Sequence, residues 1–149
     1  MAQLSFHSPV GDMTFSEEKG KIVALDWGWS PLSEETVFLK KAKQQLDDYF
    51  DGLNPVFSLA LAVNGTDFQK RVWQAMVSIP YGKTMTYGEI SHMIGSHPRA
   101  VGTACGLNPV PIIIPCHRVM GRHGKLTGYS GGEGIETKKF LLELERSGT

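Results

Sequence analysis

The reactive candidate in this chain is a thiol next to an imidazole, Cys116-His117, at the end of Asn108-Pro109-Val110-Pro111-Ile112-Ile113-Ile114-Pro115. A cysteine attacks as its thiolate, and an ordinary thiol with a pKa of about 8.5 is mostly protonated at neutral pH. It needs a base or positive surroundings, and His117 is the candidate base. Glu145, near the C-terminus, would orient and charge-balance His117, completing a nucleophile–base–carboxylate chain. A lone cysteine is more often an inert buried one, and a single helical acid is more often solvated. The weight therefore falls on the segment that carries Cys116.

That segment is stiff. Its prolines remove backbone donors, fix φ and exclude a helix. Ile112-Ile113-Ile114 is a β-branched apolar run that reads as a short buried strand. In an extended segment neighbouring side chains face apart, so Cys116 and His117 would communicate through a bridging water.

The elements on either side read as follows. Leu4–Ser8, Met13–Phe15 and Ile22–Trp27 are strand candidates separated by turn chemistry at Pro9–Asp12 and Gly20. Ser33 reads as the N-cap of a helix, with Glu34 and Glu35 in its first turn and Phe38, Leu39, Ala42, Leu46, Tyr49 and Phe50 at helical spacing. Asp51-Gly52 ends it, and Phe57, Leu59 and Leu61 alternate as a further strand. Asn64-Gly65-Thr66 marks a boundary, dividing residues 1–65 from 66–149. Thr66 or Asp67 then caps a helix with Phe68, Val72, Ala75, Met76 and Ile79 on one face, stopped by Pro80-Tyr81-Gly82.

Next come a helix over about 86–94, a Gly95-Ser96-His97 turn, and a short helix opened by Pro98. Helix, glycine turn and helix over about 86–107 is a helix-turn-helix pattern. The second helix is built from Ala, Gly, Thr and Cys, which either packs tightly on a neighbouring helix or approaches another surface closely. Residues 121–134 are glycine-rich and read as a mobile loop, followed by a helix over 135–146 with Ile135, Leu141, Leu142 and Leu144 toward the core.

Net charge is zero over 149 residues, but unevenly spread. Residues 1–66 carry five lysines against nine acids, a net of −4, and residues 67–149 carry ten Lys and Arg against six acids, a net of +4. The positive half is the one with the thiol, as expected if it meets phosphate. Cys105, Cys116, His117 and His123 contain no C-x-x-C and no H-x-x-x-H spacing, so no metal is expected. No apolar run reaches ~18 residues and the N-terminus does not read as a signal peptide, so a cytoplasmic chain with reduced thiols is expected.

The run Asn108-Pro109-Val110-Pro111 followed by Ile114-Pro115-Cys116-His117-Arg118-Val119 resembles the active-site signature of the O6-alkylguanine-DNA alkyltransferases. The likeness extends in order and spacing from about Thr66 to Glu145 and is weaker before it. It implies an α+β protein: a small N-terminal ribonuclease-H-like αβ domain, then a mainly helical winged helix-turn-helix domain. It implies direct-reversal DNA repair: O6-alkylguanine is flipped out of duplex DNA, and the alkyl group passes irreversibly to Cys116 in a single turnover. No cofactor is needed, because the thiol is the reagent. The expected partner is double-stranded DNA bound through the minor groove by a monomer, with cooperativity along DNA left open.

By the same resemblance Cys116, His117 and Glu145 form the catalytic chain, and Asn108 is a hinge tying the helix-turn-helix to the active-site segment. Arg99 fills the gap left by the flipped nucleotide, in a recognition helix with Ala100, Gly102 and Thr103. Tyr87 crowds the adjacent phosphate and bonds the base. Tyr129, Ser130 and Gly131 close over the guanine, with Ser130 donating to O6. The carbonyls of Val119 and Cys116 accept from the exocyclic amine, Pro111 forms a wall, and Arg118 anchors structure. Two positions depart from the family pattern. Cys105 stands where many relatives have a larger apolar residue, leaving room for bulky substituents, and Gly106 replaces an arginine that some relatives aim at phosphate.

The competing readings are an alkyltransferase-like lesion sensor, which lacks the cysteine, a helix-turn-helix regulator without chemistry, and a Cys-His hydrolase, for which no oxyanion motif is present.

Overall fold

The computed structural model describes residues 1–53, 56–129 and 131–147. The chain falls into two units, Met1–Asn64 and Gly65–Thr149.

The first unit is a three-stranded antiparallel sheet and one helix. β1 (Ala2–Phe6), β2 (Met13–Glu18) and β3 (Lys21–Trp27) lie in that order. Lys19 and Gly20, both at positive φ (53° and 76°), make the two-residue turn between β2 and β3, the conformation whose twist suits a hairpin. Register sets Leu4 opposite Phe15 and Phe6 opposite Met13, which collects the apolar residues on one face. The alternate residues carry a polar ladder: Gln3 Nε2 donates to Ser16 Oγ at 3.0 Å, and the Ser5 and Thr14 hydroxyls are 2.8 Å apart. α1 (Val37–Phe50) buries Leu39, Ala42, Leu46 and Tyr49, a stripe at helical spacing.

Two expectations fail in this unit. The helix is capped by Thr36, not Ser33: the Thr36 hydroxyl accepts from Leu39 N at 3.0 Å and donates to Glu17 Oε1 at 2.7 Å. Glu34 N is engaged with the Gln3 carbonyl at 2.8 Å, so Glu34 and Glu35 lie before the helix. Residues 57–61 form no strand. They make one parallel bridge, Ile22 to Leu61, with Ile22 N bonded to Ala60 O and Ala62 N to Ile22 O. Alternation alone did not supply the continuous partner a strand needs.

The second unit is mainly helical. α2 (Asp67–Val77) starts in a capping box, Thr66 with Gln69, and buries Val72, Trp73, Ala75 and Met76. α3 (Tyr87–Ile94) starts in another, Thr86 with Glu89, and ends at Gly95 in the left-handed region. Each side-chain cap contributes about 1 kcal/mol. α4 (Pro98–Gly106) has Pro98 in its first turn, where a missing donor costs nothing. β4 (Met85–Thr86) and β5 (Val119–Met120) pair in parallel, tying the start of α3 to the residues just after the thiol. α5 (Ile135–Ser147) closes the unit, burying Thr137, Lys138, Leu141, Leu142 and Glu145. Ile135, expected inside, is 45 % exposed, and Leu144 is half-buried. The buried stripe of α5 is rotated toward Lys138 and Glu145 because polar partners await both.

The Ile112–Ile114 run is not a strand. Ile112 has φ of 74°, Ile114 N bonds back to Val110 O at 2.9 Å, and Pro111 and Ile114 form a single bridge. The run is buried as expected, but prolines at 109, 111 and 115 leave too few donors for a ladder, so the chain turns. No helix among the described residues is long and apolar enough to cross a membrane.

Candidate active site

Asn108 builds the turn that leads to the thiol. Its Oδ1 accepts from Val110 N at 2.9 Å and its Nδ2 donates to Ile114 O at 2.7 Å. One amide side chain thus satisfies both ends of a buried, proline-depleted turn, where an unpaired donor or acceptor would cost about 1–3 kcal/mol. The turn delivers Cys116, His117 and Arg118 as one turn of 3-10 helix rather than as extended chain. The thiol is 9 % exposed. It lines a cavity of about 340 Å³ with Tyr87, Gly102, Cys105, Gly106, Gly128 and Tyr129.

His117 and Arg118 meet Glu145 from α5. Glu145 is 1 % exposed and His117 wholly buried. Arg118 grips the carboxylate through both edges, Nε to Oε1 at 2.8 Å and Nη2 to Oε2 at 3.1 Å, and its Nη1 donates to the Ile79 carbonyl at 2.7 Å. Gly82 N adds a donor to Oε1 at 3.2 Å. Taking a carboxylate out of water costs several kcal/mol, and this fork of donors repays it.

His117 Nε2 lies 2.6 Å from Glu145 Oε2. A carboxylate only accepts, so Nε2 carries the proton and neutral His117 presents a lone pair at Nδ1. That nitrogen is buried and has no hydrogen-bond partner among the described residues. Burial pushes the His117 pKa below its ordinary 6.5, opposed by Glu145 and aided by Arg118 and Lys138. The ring is thus held neutral at pH 7, with the Nδ1 lone pair available to accept a proton.

Burial raises the Cys116 thiol above its ordinary value of 9.0, against the pull of Asn108, Lys138 and the Tyr129 hydroxyl. Cys105, also on the cavity wall, is pushed up to about 12 by burial and by Cys116, and its sulfur contacts Met76 Sδ at 3.4 Å. At the cavity rim the Tyr87 hydroxyl accepts from Thr127 Oγ1 at 3.3 Å. Val119 O accepts from Lys138 Nζ at 2.6 Å, which occupies one of the two lone pairs of the carbonyl expected to meet the base. Pro111 is buried and Gly131 half-buried beside the loop, with its carbonyl bonded to Gly134 N at 2.9 Å. Ser130 lies outside the described residues.

The remaining candidates share a helix face. Arg99, Gly102, Thr103 and Gly106 recur at helical spacing on α4 and are exposed or half-exposed, with Ala100 beside them, while Val101, Ala104 and Cys105 are buried. A Cβ added at Gly102 or Gly106 would meet nothing within 4 Å. The small residues are therefore not demanded by packing inside the protein, and they leave α4 with a smooth outer surface. Lys138 was not singled out from the sequence. The signal was present, because Lys138, Leu141, Leu142 and Glu145 recur as one helical stripe whose middle members are buried leucines. Among the described residues no three His, Cys, Asp or Glu side chains gather as a metal site.

The family of the 6-O-methylguanine DNA methyltransferase DNA-binding domain matches residues 67–147, and that of the corresponding ribonuclease-like domain matches residues 3–63. A constitutive methylated-DNA–protein-cysteine methyltransferase of Bacillus subtilis is 43% identical over 93% of this chain and 92% of its own length. A methylated-DNA–protein-cysteine methyltransferase of Methanosarcina acetivorans is 45% identical over 95% and 96%. The crystal structure of Mycobacterium tuberculosis OGT in complex with DNA superposes with a TM-score of 0.91 at 42% identity, covering 100% of this chain and 95% of that one.

Proposed function

The chain belongs to the 6-O-methylguanine DNA methyltransferase family, and on that premise we propose that it repairs O6-alkylguanine in duplex DNA by moving the alkyl group onto Cys116. The observation that carries the reading is the thiol on the wall of a cavity, next in sequence to an imidazole whose tautomer a buried carboxylate fixes.

The target base leaves the stack, at a cost of a few kcal/mol. Arg99 takes its place, and the α4 face with Ala100, Gly102 and Thr103 enters the minor groove. Guanine then occupies the cavity lined by Tyr87 and Tyr129, and in this reading Pro111 forms a wall while Ser130 and Gly131 close the loop over it, with Ser130 donating to O6. The Val119 and Cys116 carbonyls accept from its exocyclic amine.

Nδ1 of His117 takes the thiol proton through a bridging water as sulfur bonds to the alkyl carbon. The carbon–O6 bond breaks, its electron pair stays on the guanine oxygen, and the proton returns to the base from the imidazolium. The products are unmodified guanine and a thioether. A thioether is not undone by thiol exchange, so each molecule reacts once. Asn108 holds the turn and Glu145 holds His117, both as positioning groups.

Residues 66–149 carry DNA binding and transfer, with residues 1–65 as the supporting domain. The protein acts in the cytoplasm as a monomer on double-stranded DNA, with no cofactor. Repair of a duplex containing one O6-methylguanine, followed under excess substrate, tests this reading. Product should saturate at one per protein, and continued turnover would refute a suicide reaction.

A further inference from the structure

The cavity of about 340 Å³ carries two free thiols, and the proposed transfer uses one of them. Cys116 and Cys105 reach it from different elements, the 3-10 turn and the last turn of α4. One residue ties those elements together. Asn108 N donates to the Cys105 carbonyl at 3.3 Å, and Asn108 Nδ2 donates at 2.7 Å to the Ile114 carbonyl, which also accepts from Cys116 N at 2.8 Å. The Cys105 thiol gives its proton to Met76 Sδ at 3.4 Å, so the lone pairs of its sulfur are not engaged by that bond. Cys116 helps to raise the Cys105 pKa, as a neighbour across a shared space does.

Methyl transfer has no use for a second sulfur, but an alkyl group with a leaving group at its far end does. A 2-chloroethyl group moved to Cys116 is still an electrophile. The thioether sulfur displaces chloride from the terminal carbon and closes a three-membered episulfonium ring. That strained cation reacts with neutral thiols, so a Cys105 pKa pushed up to about 12 does not silence it. Groups held in one cavity also meet at effective concentrations far above that of bulk water. The tyrosines on the wall, Tyr87 and Tyr129, are kept as neutral phenols by burial and are poorer nucleophiles than sulfur. The nearby nitrogens are engaged elsewhere, His117 Nε2 with Glu145 and Lys138 Nζ with the Val119 carbonyl.

We infer that Cys105 is a capture residue, which closes an ethylene bridge between the two sulfurs when the group taken from guanine O6 is a 2-haloethyl. The Cys105 sulfur bonds to a ring carbon, the bond from that carbon to the Cys116 sulfur breaks, and its electron pair returns to Cys116. The Cys105 proton and the chloride leave. Both sulfurs end as thioethers, and no oxidant or reductant is consumed. A disulfide would need the sulfurs about 2 Å apart, whereas a two-carbon bridge spans more and suits thiols that share a cavity. The inference rests on the proposed transfer reading and adds a substrate class to it: bifunctional adducts whose second electrophilic centre would otherwise reach water or DNA.

Duplex DNA freshly chloroethylated at guanine O6 is incubated with the wild-type protein and with Cys105→Ser, and the products are digested with trypsin. Both cysteines fall in one peptide, because cleavage at Arg99 and Arg118 leaves no lysine or arginine between them. In the wild type that peptide should gain an ethylene unit less two hydrogens, lose both free thiols, and give no fragment ions between Cys105 and Cys116. Cys105→Ser should lose bridged product by about tenfold or more and carry a hydroxyethyl thioether on Cys116. A hydroxyethyl thioether as the main wild-type product, or a bridge from Cys116 to His117 or Lys138, would overturn the capture role, and the wild-type peptide decides this where the variant does not fold. 1,2-Dibromoethane, which alkylates Cys116 without DNA, separates the two readings. A bridge formed from dibromoethane, with no alkyl group taken from DNA, would support the pairing of the sulfurs and count against the transfer reading alone.

Discussion

Two cysteines share one cavity, and they are not alike. Cys105, at the C-terminal end of α4, has Met76 Sδ as its sulfur contact and is pushed up to about 12. Cys116, in a 3-10 turn, is placed among polar groups, with Asn108, Lys138 and Tyr129 all drawing its pKa down against burial. Burial by itself makes a thiol inert. What separates the two is that Asn108 and the Tyr129 hydroxyl lower the pKa of Cys116 and have no counterpart at Cys105, whereas Lys138 acts on both.

The largest expected effect removes the machinery that favours Cys116. Glu145→Gln can no longer fix the His117 tautomer and leaves Arg118 buried without its charge partner. Single-turnover methyl transfer should slow by about a hundredfold or more, and thermal melting should show a loss of about 3–5 kcal/mol. A rate equal to wild type would mean that His117 and Glu145 do not set Cys116 apart.

Arg99→Ala should have the next largest effect, and a selective one. It leaves both thiols untouched, so reaction with free O6-benzylguanine should be unchanged. Repair in duplex DNA should fall by roughly tenfold or more, since the flipped state loses the group that fills its gap. Equal losses on both substrates would remove Arg99 from the flipping step.

The pH dependence sharpens the contrast further. His117 has its pKa lowered, so it stays neutral at pH 7 and below its ordinary 6.5, while Cys116 stays protonated up to values above 9.0. Proton transfer between them is then available throughout, and the transfer rate should be flat from about pH 6.5 to 8.5. It should fall only where His117 itself gains a proton, at a pH below 6.5. A rate rising tenfold per unit across that window would mean that free thiolate, not the thiol–imidazole pair, is the attacking form.

Much of this arrangement is legible in the residues. Thr66, Thr86, Gly95 and Pro98 announce the helix ends of the second unit through local chemistry, and the structure follows them. Local chemistry misleads where tertiary partners compete. Ser33 is a good cap, but Glu34 is drawn to the Gln3 carbonyl and Thr36 takes the role. Ile112-Ile113-Ile114 has strand composition, yet Asn108 offers its carbonyl and amide to both ends of the run and folds it into a turn. In the site, Cys116 and His117 stand out by adjacency. Lys138 does not, because a lysine on a helix looks solvated until its stripe with Leu141 and Leu142 is noticed.

The smallest effect belongs to the other thiol. Cys105→Ala should cost about 1 kcal/mol of stability through lost packing on Met76, read by thermal melting, with a methyl group still delivered to Cys116.

The central claim is that Cys116, and not Cys105, is the acceptor. Intact-protein mass spectrometry after incubation with duplex DNA carrying one O6-methylguanine, followed by peptide mapping, tests it most directly. A single added methyl on the peptide containing Cys116, with the Cys105 peptide unmodified, is the predicted result. A methyl on Cys105, or no added mass despite lesion-selective binding, would contradict the account.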